Sequence, residues 1–261
     1  MKNSIFLLLL AAAVLQDETP PYLTMPAKGY ADTPTLPGQK WKVHDRERPI
    51  PPFVGPAGQN LPLTPPPDAT VLFDGSSLDG WRSYDNKAAK WKLVEGQAME
   101  VNGTGDIRTA NAFGDCQLHV EWMSPVSEQA SQGASNSGVY MMGLYEIQVL
   151  DSWSSRTYPD GQAAALYGQH PPLVNASRKP GTWQSYDIIF HAPEFSGEDL
   201  VSAATITLFH NGVLVHDHQS FIGQTVHRKV ATYQAHPEKL PLKLQDHGNP
   251  VRYRNIWVRP L

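Results

Sequence analysis

The heptapeptide YEIQVLD, Tyr145 to Asp151, alternates apolar and polar side chains with a period of two. Tyr145, Ile147 and Val149 fall on one face of a strand, Glu146 and Gln148 on the other, and Asp151 lies just past its end. CQLHVEW repeats the pattern, with Cys116, Leu118, Val120 and Trp122 opposite Gln117, His119 and Glu121. From Asp68 onward, further short runs have strand composition: TVLF, WKLV, AMEV, SGVYMM, SYDIIFH, TITLF, VLVH and RYRNIWV. Turn residues separate them, and helical periodicity is scarce apart from a short turn expected near Ser127 to Ser131. Many short strands without intervening helices predict an all-β sandwich or jelly roll. The strongest hairpin signal is Asn211-Gly212 between TITLF and VLVH, because Asn-Gly accepts the positive φ angles of a type I′ turn.

Outside this region the texture changes. The first residues carry Lys2, an apolar run from Ile5 to Leu15 and small residues Ala11 to Ala13, which predicts a secretory signal peptide over 1–15 and hence a secreted or periplasmic protein. The run is shorter than the roughly 20 apolar residues of a spanning helix, so no stable membrane span is expected. Residues 16–67 read as an arm; from Thr19 to Pro67 the chain holds 13 of its 23 prolines and sustains neither strand nor helix periodicity. Its WKVHDRERP stretch is richer than a spacer and is expected to pack on the domain formed by 68–261. Two long stretches, Ser127 to Gly138 and Ser152 to Gly181, are either binding loops or surface excursions.

Composition narrows the chemistry. The net charge is -4 with no block of one sign, so no nucleic-acid partner is indicated and a small neutral ligand fits better. The single cysteine, Cys116, excludes an internal disulfide, and its alternation with large apolar residues predicts an inert buried thiol. Glu121, Glu146, Gln148, Gln245 and His247 all sit on polar faces or at alternate positions. If their strands neighbour one another on one sheet, these groups form a trough able to bind sugar hydroxyls. The alternative for each is a solvated face or a turn. A jelly-roll glucanase typically supplies its two carboxylates as Glu-x-Asp-x-x-Glu. Here Gln148 replaces the middle acid and Asp151 the last, which weakens double-displacement hydrolysis. His216-Asp217-His218 lacks a recognised zinc spacing and reads as an exposed strand; no cofactor is assigned, and a divalent metal ion held by Glu, Asp and His stays open.

Taken together, VLFDGSSLDGW, NSGVYM, YEIQVLD, ALYGQHPPLVNASRKPGTWQSYDIIFHAP, HNGVLVHD and LQDHGNPVRYRNIWVRPL resemble the 3-keto-disaccharide hydrolase domain family, in order from Asp68 to Leu261. The resemblance implies a concanavalin A-like jelly-roll β-sandwich and cleavage of 3-keto-glycosides. A ketone at C3 acidifies the C2 hydrogen, so a base can remove it, the C1 substituent leaves by elimination, and water adds to the unsaturated sugar. Carried onto this sequence, the pattern makes Glu146, His247 and Asp151 catalytic. It makes Glu121, Asn136, Gln148, Tyr167, His210, Gln245 and Arg254 substrate-binding. His247 or Glu146 would take the C2 proton, with histidine favoured by its ordinary pKa of about 6.5. Asp151 would orient an imidazole or ligate a metal, and Arg254 or a bound cation would support the enolate. The competing expectations are a non-catalytic carbohydrate-binding module and a conventional endoglucanase.

Overall fold

The computed structural model describes residues 19–261, and the expected signal peptide lies outside the described residues. Strands β1 (Thr70–Phe73), β3 (Lys92–Val94), β4 (Ala98–Glu100), β6 (Cys116–Met123), β9 (Gln184–His191), β12 (Thr205–His210), β13 (Val213–Ser220) and β15 (Arg252–Pro260) form an eight-stranded antiparallel sheet. Its order is β13-β12-β9-β6-β15-β4-β3, with β1 also paired to β15. A five-stranded sheet is built from β2 (Trp81–Ser83), β5 (Ile107–Phe113), β7 (Ser137–Met141), β8 (Tyr145–Val149) and β14 (Leu240–Leu244), in the order β2-β5-β14-β7-β8. A separate ribbon pairs β10 (Glu194–Ser196) with β11 (Asp199–Ser202). The fold is the expected jelly-roll sandwich. Among the described residues no helix is long and apolar enough to cross a membrane.

The two sheets share one core because each strand turns its apolar set inward. Leu118, Val120 and Trp122 of β6 and Ile188 and Phe190 of β9 meet Tyr145, Ile147 and Val149 of β8 and Val139 and Met141 of β7. Cys116 joins this core, and burial first, then nearby Asp115, pushes its thiol up to about 12. It is therefore the inert thiol expected. The hairpin between β12 and β13 turns on Asn211 and Gly212, both at positive φ (52° and 78°), as the Asn-Gly signal requires.

Five strands lacked a clear sequence signal, and two of them matter. β5 carries Arg108, Thr109 and Asn111, a weak strand composition, and β14 contains Pro241. Pro241 is tolerated because the β14–β5 register shifts between Pro241 and Lys243. β14 lies between β5 and β7 and delivers the chain to Gln245, whose N–H donates to Gly138 O at 3.0 Å.

One placement departs from expectation. β6 and β8 show the same alternation yet belong to different sheets, so their polar faces point away from each other across the core. His216 also departs: it is buried, with Nε2 2.9 Å from Ala164 O, whereas His218 is exposed at φ 44°. The β12–β13 register shifts between Ile206 and Leu208, and this irregularity breaks the common face expected for the two histidines.

The proline-rich arm is bonded along its length. His44 N donates to Asp160 Oδ2 at 2.9 Å, Arg48 Nη1 to Gln169 O at 3.2 Å and Val54 N to Asn175 O at 2.9 Å. Leu36, Val43 and His44 are fully buried.

Candidate active site

The polar face of β8 does not meet water. Glu146 and Gln148 are both buried, because the loop after β8 folds back along its edge. Ala164 N donates to Gln148 O (2.9 Å), Gln148 N to Ala165 O (3.0 Å), and Tyr167 N to Glu146 O (3.3 Å). This pairing carries Tyr158 and Tyr167 over the sheet. Together with Asn136, Tyr140, Gln245, His247, the segment Thr225 to His227, Gln132 and the arm residue Tyr30, they enclose a cavity of about 320 Å³ around Glu146 and Gln148. The volume lies at the small end of the roughly 300–1,000 Å³ typical of small-molecule sites.

Six of the ten residues expected from the sequence therefore meet here: Asn136, Glu146, Gln148, Tyr167, Gln245 and His247. The other four do not line the cavity. Asp151 Oδ1 accepts the N–H groups of Trp153 (3.1 Å) and Ser154 (2.9 Å), and so caps the turn that starts the loop. His210 is buried against Trp122 with Nε2 2.9 Å from Gln184 Oε1, and burial first, then Arg178, pushes it down to about 3, so its imidazole stays neutral. Glu121 and Arg254 pair with each other at 2.7 Å on the outer face of the large sheet.

That outer face holds a second buried polar cluster. Glu121 Oε1 accepts Leu63 N at 2.9 Å and Asn255 Nδ2 at 2.8 Å, and lies 3.4 Å from His119 Nε2. His119 Nδ1 lies 2.6 Å from Asp187 Oδ1, and its ring stacks on Trp257. Burial pulls the His119 pKa down, but Asp187 and Glu121 outweigh it and the net direction is up. Burial pulls Glu121 up, while His119, Asn255, Arg254 and the Leu63 amide bring it below its ordinary value. The arm seals this cluster through Leu63 and through Gln59, which bonds Ser185 and Asp187.

At the cavity floor, Glu146 behaves in the opposite way. Burial pushes its carboxyl up to about 8, only partly countered by the Tyr140 hydroxyl and Lys243. Glu146 is therefore predominantly protonated at neutral pH. Among the described residues lining the cavity it is the sole carboxyl group. The Gln148 amide sits between Glu146 and Gln132. Its nitrogen donates to Gln132 Oε1 at 3.1 Å, and Gln132 is pinned by donating to Thr157 Oγ1 (2.9 Å) and Gly161 O (2.8 Å). In that orientation the Gln148 oxygen faces both Glu146 Oε1 at 3.0 Å and Ser137 O at 3.1 Å; a protonated Glu146 can donate across the first contact, whereas the second pairs two acceptors. Turned over, the amide would instead donate to an ionised Glu146 and to Ser137 O at 3.1 Å.

The walls supply neutral donors and acceptors. Tyr158 and Tyr167 share a hydrogen bond of 2.7 Å between hydroxyls, and Tyr167 OH lies 3.1 Å from His227 Nδ1. Burial raises both tyrosines and, ahead of His44 and Arg228, lowers His227. Gln245 Nε2 donates to Tyr140 OH at 3.1 Å, while its buried Oε1 has no partner and can accept from a ligand hydroxyl. Tyr30, Gln132, Tyr140, Tyr158 and His227 were not anticipated individually: each lies outside an alternating polar pattern, and only Gln132 and Tyr158 sit in stretches that carried any signal, the length of the loops 127–138 and 152–181. Among the described residues no group of three or more His, Cys, Asp or Glu side chains is arranged to hold a metal ion.

Residues 68–259 match the model of a family described as a 3-keto-alpha-glucoside-1,2-lyase-like domain. A 3-keto-disaccharide hydrolase from Bacteroides thetaiotaomicron is 24% identical over 256 residues, spanning 73% of this chain and 78% of that protein. A crystal structure of a candidate glycosyl hydrolase from Parabacteroides distasonis is 40% identical, with a TM-score of 0.74, covering 87% of this chain and 100% of that one. A second such structure from the same organism, 18% identical with a TM-score of 0.54, covers 74% of this chain and 94% of its own and shares the fold.

Proposed function

The chain belongs to the 3-keto-alpha-glucoside-1,2-lyase-like domain family, and on that premise we propose that it cleaves 3-keto-glycosides by elimination at C1 and C2, followed by hydration. The observation that carries this reading is the cavity's acid–base content: one carboxyl group, held protonated, with His227 and His247 on the walls. A double-displacement glycosidase uses two carboxyl groups about 5 Å apart. An elimination needs instead a base, an acid for the leaving group and donors for an enolate.

In the proposed reaction an imidazole, His247, takes the C2 proton. The C2–H electron pair forms the C2–C3 double bond and places negative charge on the C3 oxygen. Neutral donors around the floor, the Gln148 amide and the Tyr158 and Tyr167 hydroxyls, stabilise that oxygen. When the enolate collapses, the C3 carbonyl reforms, a C1–C2 double bond appears and the C1–O bond breaks, and Glu146 gives its proton to the departing oxygen. Water then adds its hydroxyl to C1 and a proton to C2, leaving the free 3-keto sugar. This assignment gives Glu146 the acid role in place of the base role first considered for it, because burial disfavours its carboxylate. Asp151 and Arg254 take no part, since neither reaches the cavity wall.

The test is incubation of the purified protein in deuterated water with methyl 3-keto-glucoside and with unoxidised methyl glucoside, following deuterium entry at C2 and release of methanol. The expected outcome is exchange and release from the 3-keto compound alone, with both lost in His247→Asn and release impaired in Glu146→Gln. Cleavage of the unoxidised glucoside at a similar rate would overturn it.

A further inference from the structure

The family match begins at residue 68, yet one wall of the cavity comes from the preceding arm. Tyr30 lines the cavity, and its position is over-determined. Its N–H donates to His44 O at 2.8 Å, and His44 is fully buried, with its own N–H and Nδ1 directed at Asp160 Oδ2 (2.9 Å) and Oδ1 (3.3 Å). The His44 ring packs on Tyr158 with centroids 4.1 Å apart. On its other side Tyr30 carries the Arg228 guanidinium over its ring at 4.1 Å, and Arg228 Nη2 reaches both oxygens of Asp32 at 3.0 and 2.9 Å. The arm thus joins the loop bearing Tyr158 and Tyr167 to the segment bearing His227, across the edge of the cavity.

We propose that Tyr30 is a specificity-determining residue: its ring, held at the edge of the cavity by the arm, limits the bulk of the group that a glycoside can carry on that side. This deepens the function proposed above, since it concerns the same cavity. The cavity holds about 320 Å³, and its Tyr30 wall is backed by the buried His44–Asp160 contact and by the more exposed Arg228–Asp32 pair. The restriction is steric, so it depends on the ring of Tyr30 and not on its hydroxyl.

The experiment compares wild type, Tyr30→Phe and Tyr30→Ala with two substrates, methyl 3-keto-glucoside and a 3-keto-glucoside carrying a bulky flavonoid aglycone. For Tyr30→Ala the ratio of kcat/KM, bulky over methyl, rises at least tenfold, chiefly through KM for the bulky substrate, while Tyr30→Phe keeps the wild-type ratio. Asp32→Asn, which loosens Arg228 without touching the cavity lining, shifts the ratio in the same direction and serves if Tyr30→Ala fails to fold. Calorimetric affinities for the unoxidised methyl and flavonoid glucosides give the same ratio without turnover. A shifted affinity ratio without turnover of either 3-keto substrate would sink the chemistry and leave the wall. Turnover with an unchanged ratio in Tyr30→Ala and Asp32→Asn would sink the wall and leave the chemistry.

Discussion

Gly138 and Glu146 lie on adjacent strands, and the first has no side chain where the second needs room: a Cβ at Gly138 would lie 2.7 Å from Glu146 Oε1 and 2.8 Å from Tyr140 Cε2. The register explains this, since Gly138 pairs with Gln148 and Tyr140 with Glu146, so all four side-chain positions crowd one patch of the sheet. Gly138→Ala is expected to keep the fold but displace the carboxyl group, lowering kcat by about tenfold or more, as misplacement of a reacting group does. Circular dichroism with steady-state kinetics checks it; full activity would mean that Glu146 is not held by this contact.

The protonated state of Glu146 has two measurable consequences of opposite kind. Its pKa rises on folding from the ordinary 4.5 to about 8. Between those values the unfolded chain releases a proton that the folded chain keeps, so stability falls as pH rises through this window and the full cost is present above about pH 8. That cost is on the order of 5 kcal/mol before relaxation of the site. Glu146→Gln removes it, and its melting temperature relative to wild type is expected to increase between pH 5 and pH 8.5. A constant difference across that range would show that the group is not held neutral.

Activity follows the same proton. If Glu146 supplies the acid, wild-type kcat declines above about pH 8, and Glu146→Gln loses roughly 10²–10⁴ of the rate with alkyl leaving groups. A nitrophenyl aglycone, which leaves without protonation, should recover most of that loss. Equal losses with both leaving groups would remove Glu146 from the acid role.

Glu121 gives the contrasting case. It is fully buried, paired to Arg254 and accepting from Leu63 N and Asn255, on the sheet face away from the cavity. Glu121→Ala leaves Arg254 without its carboxylate partner, while His119 keeps Asp187, and is expected to cost about 3 kcal/mol or more, read by denaturant titration, with KM unchanged in the protein that remains folded. A selective rise in KM without loss of stability would return Glu121 to substrate binding.

Tyr167→Phe deletes the hydroxyl that joins Tyr158 to His227. The expected result is a fall in kcat of about tenfold, the equivalent of one hydrogen bond to a polar partner, with the melting temperature nearly unchanged. An NMR titration of His227 gives the independent check, because the orientation of its ring depends on that bond.

The sequence by itself determined the faces of the strands. Period-two alternation is a local property, fixed where each Cβ points, so the inward set of β6 and β8, the Asn211-Gly212 turn and the inert Cys116 were all legible. It also assembled much of the site, because Glu146 and Gln148 lie on one strand, and Gln245 and His247 on the chain just after another. What alternation cannot carry is the surroundings of a polar face. Glu121 and Glu146 occupy equivalent positions in equivalent patterns, yet one is ionised by a ring of donors under residues 59–63 and the other is kept neutral beneath the loop carrying Tyr158 and Tyr167. Segments distant in sequence decide which, since solvation and hydrogen-bond partners, not strand period, set the free energy of a buried charge. Tyr30 and His227 enter the cavity for the same reason: their roles arise only where the arm crosses the sheet.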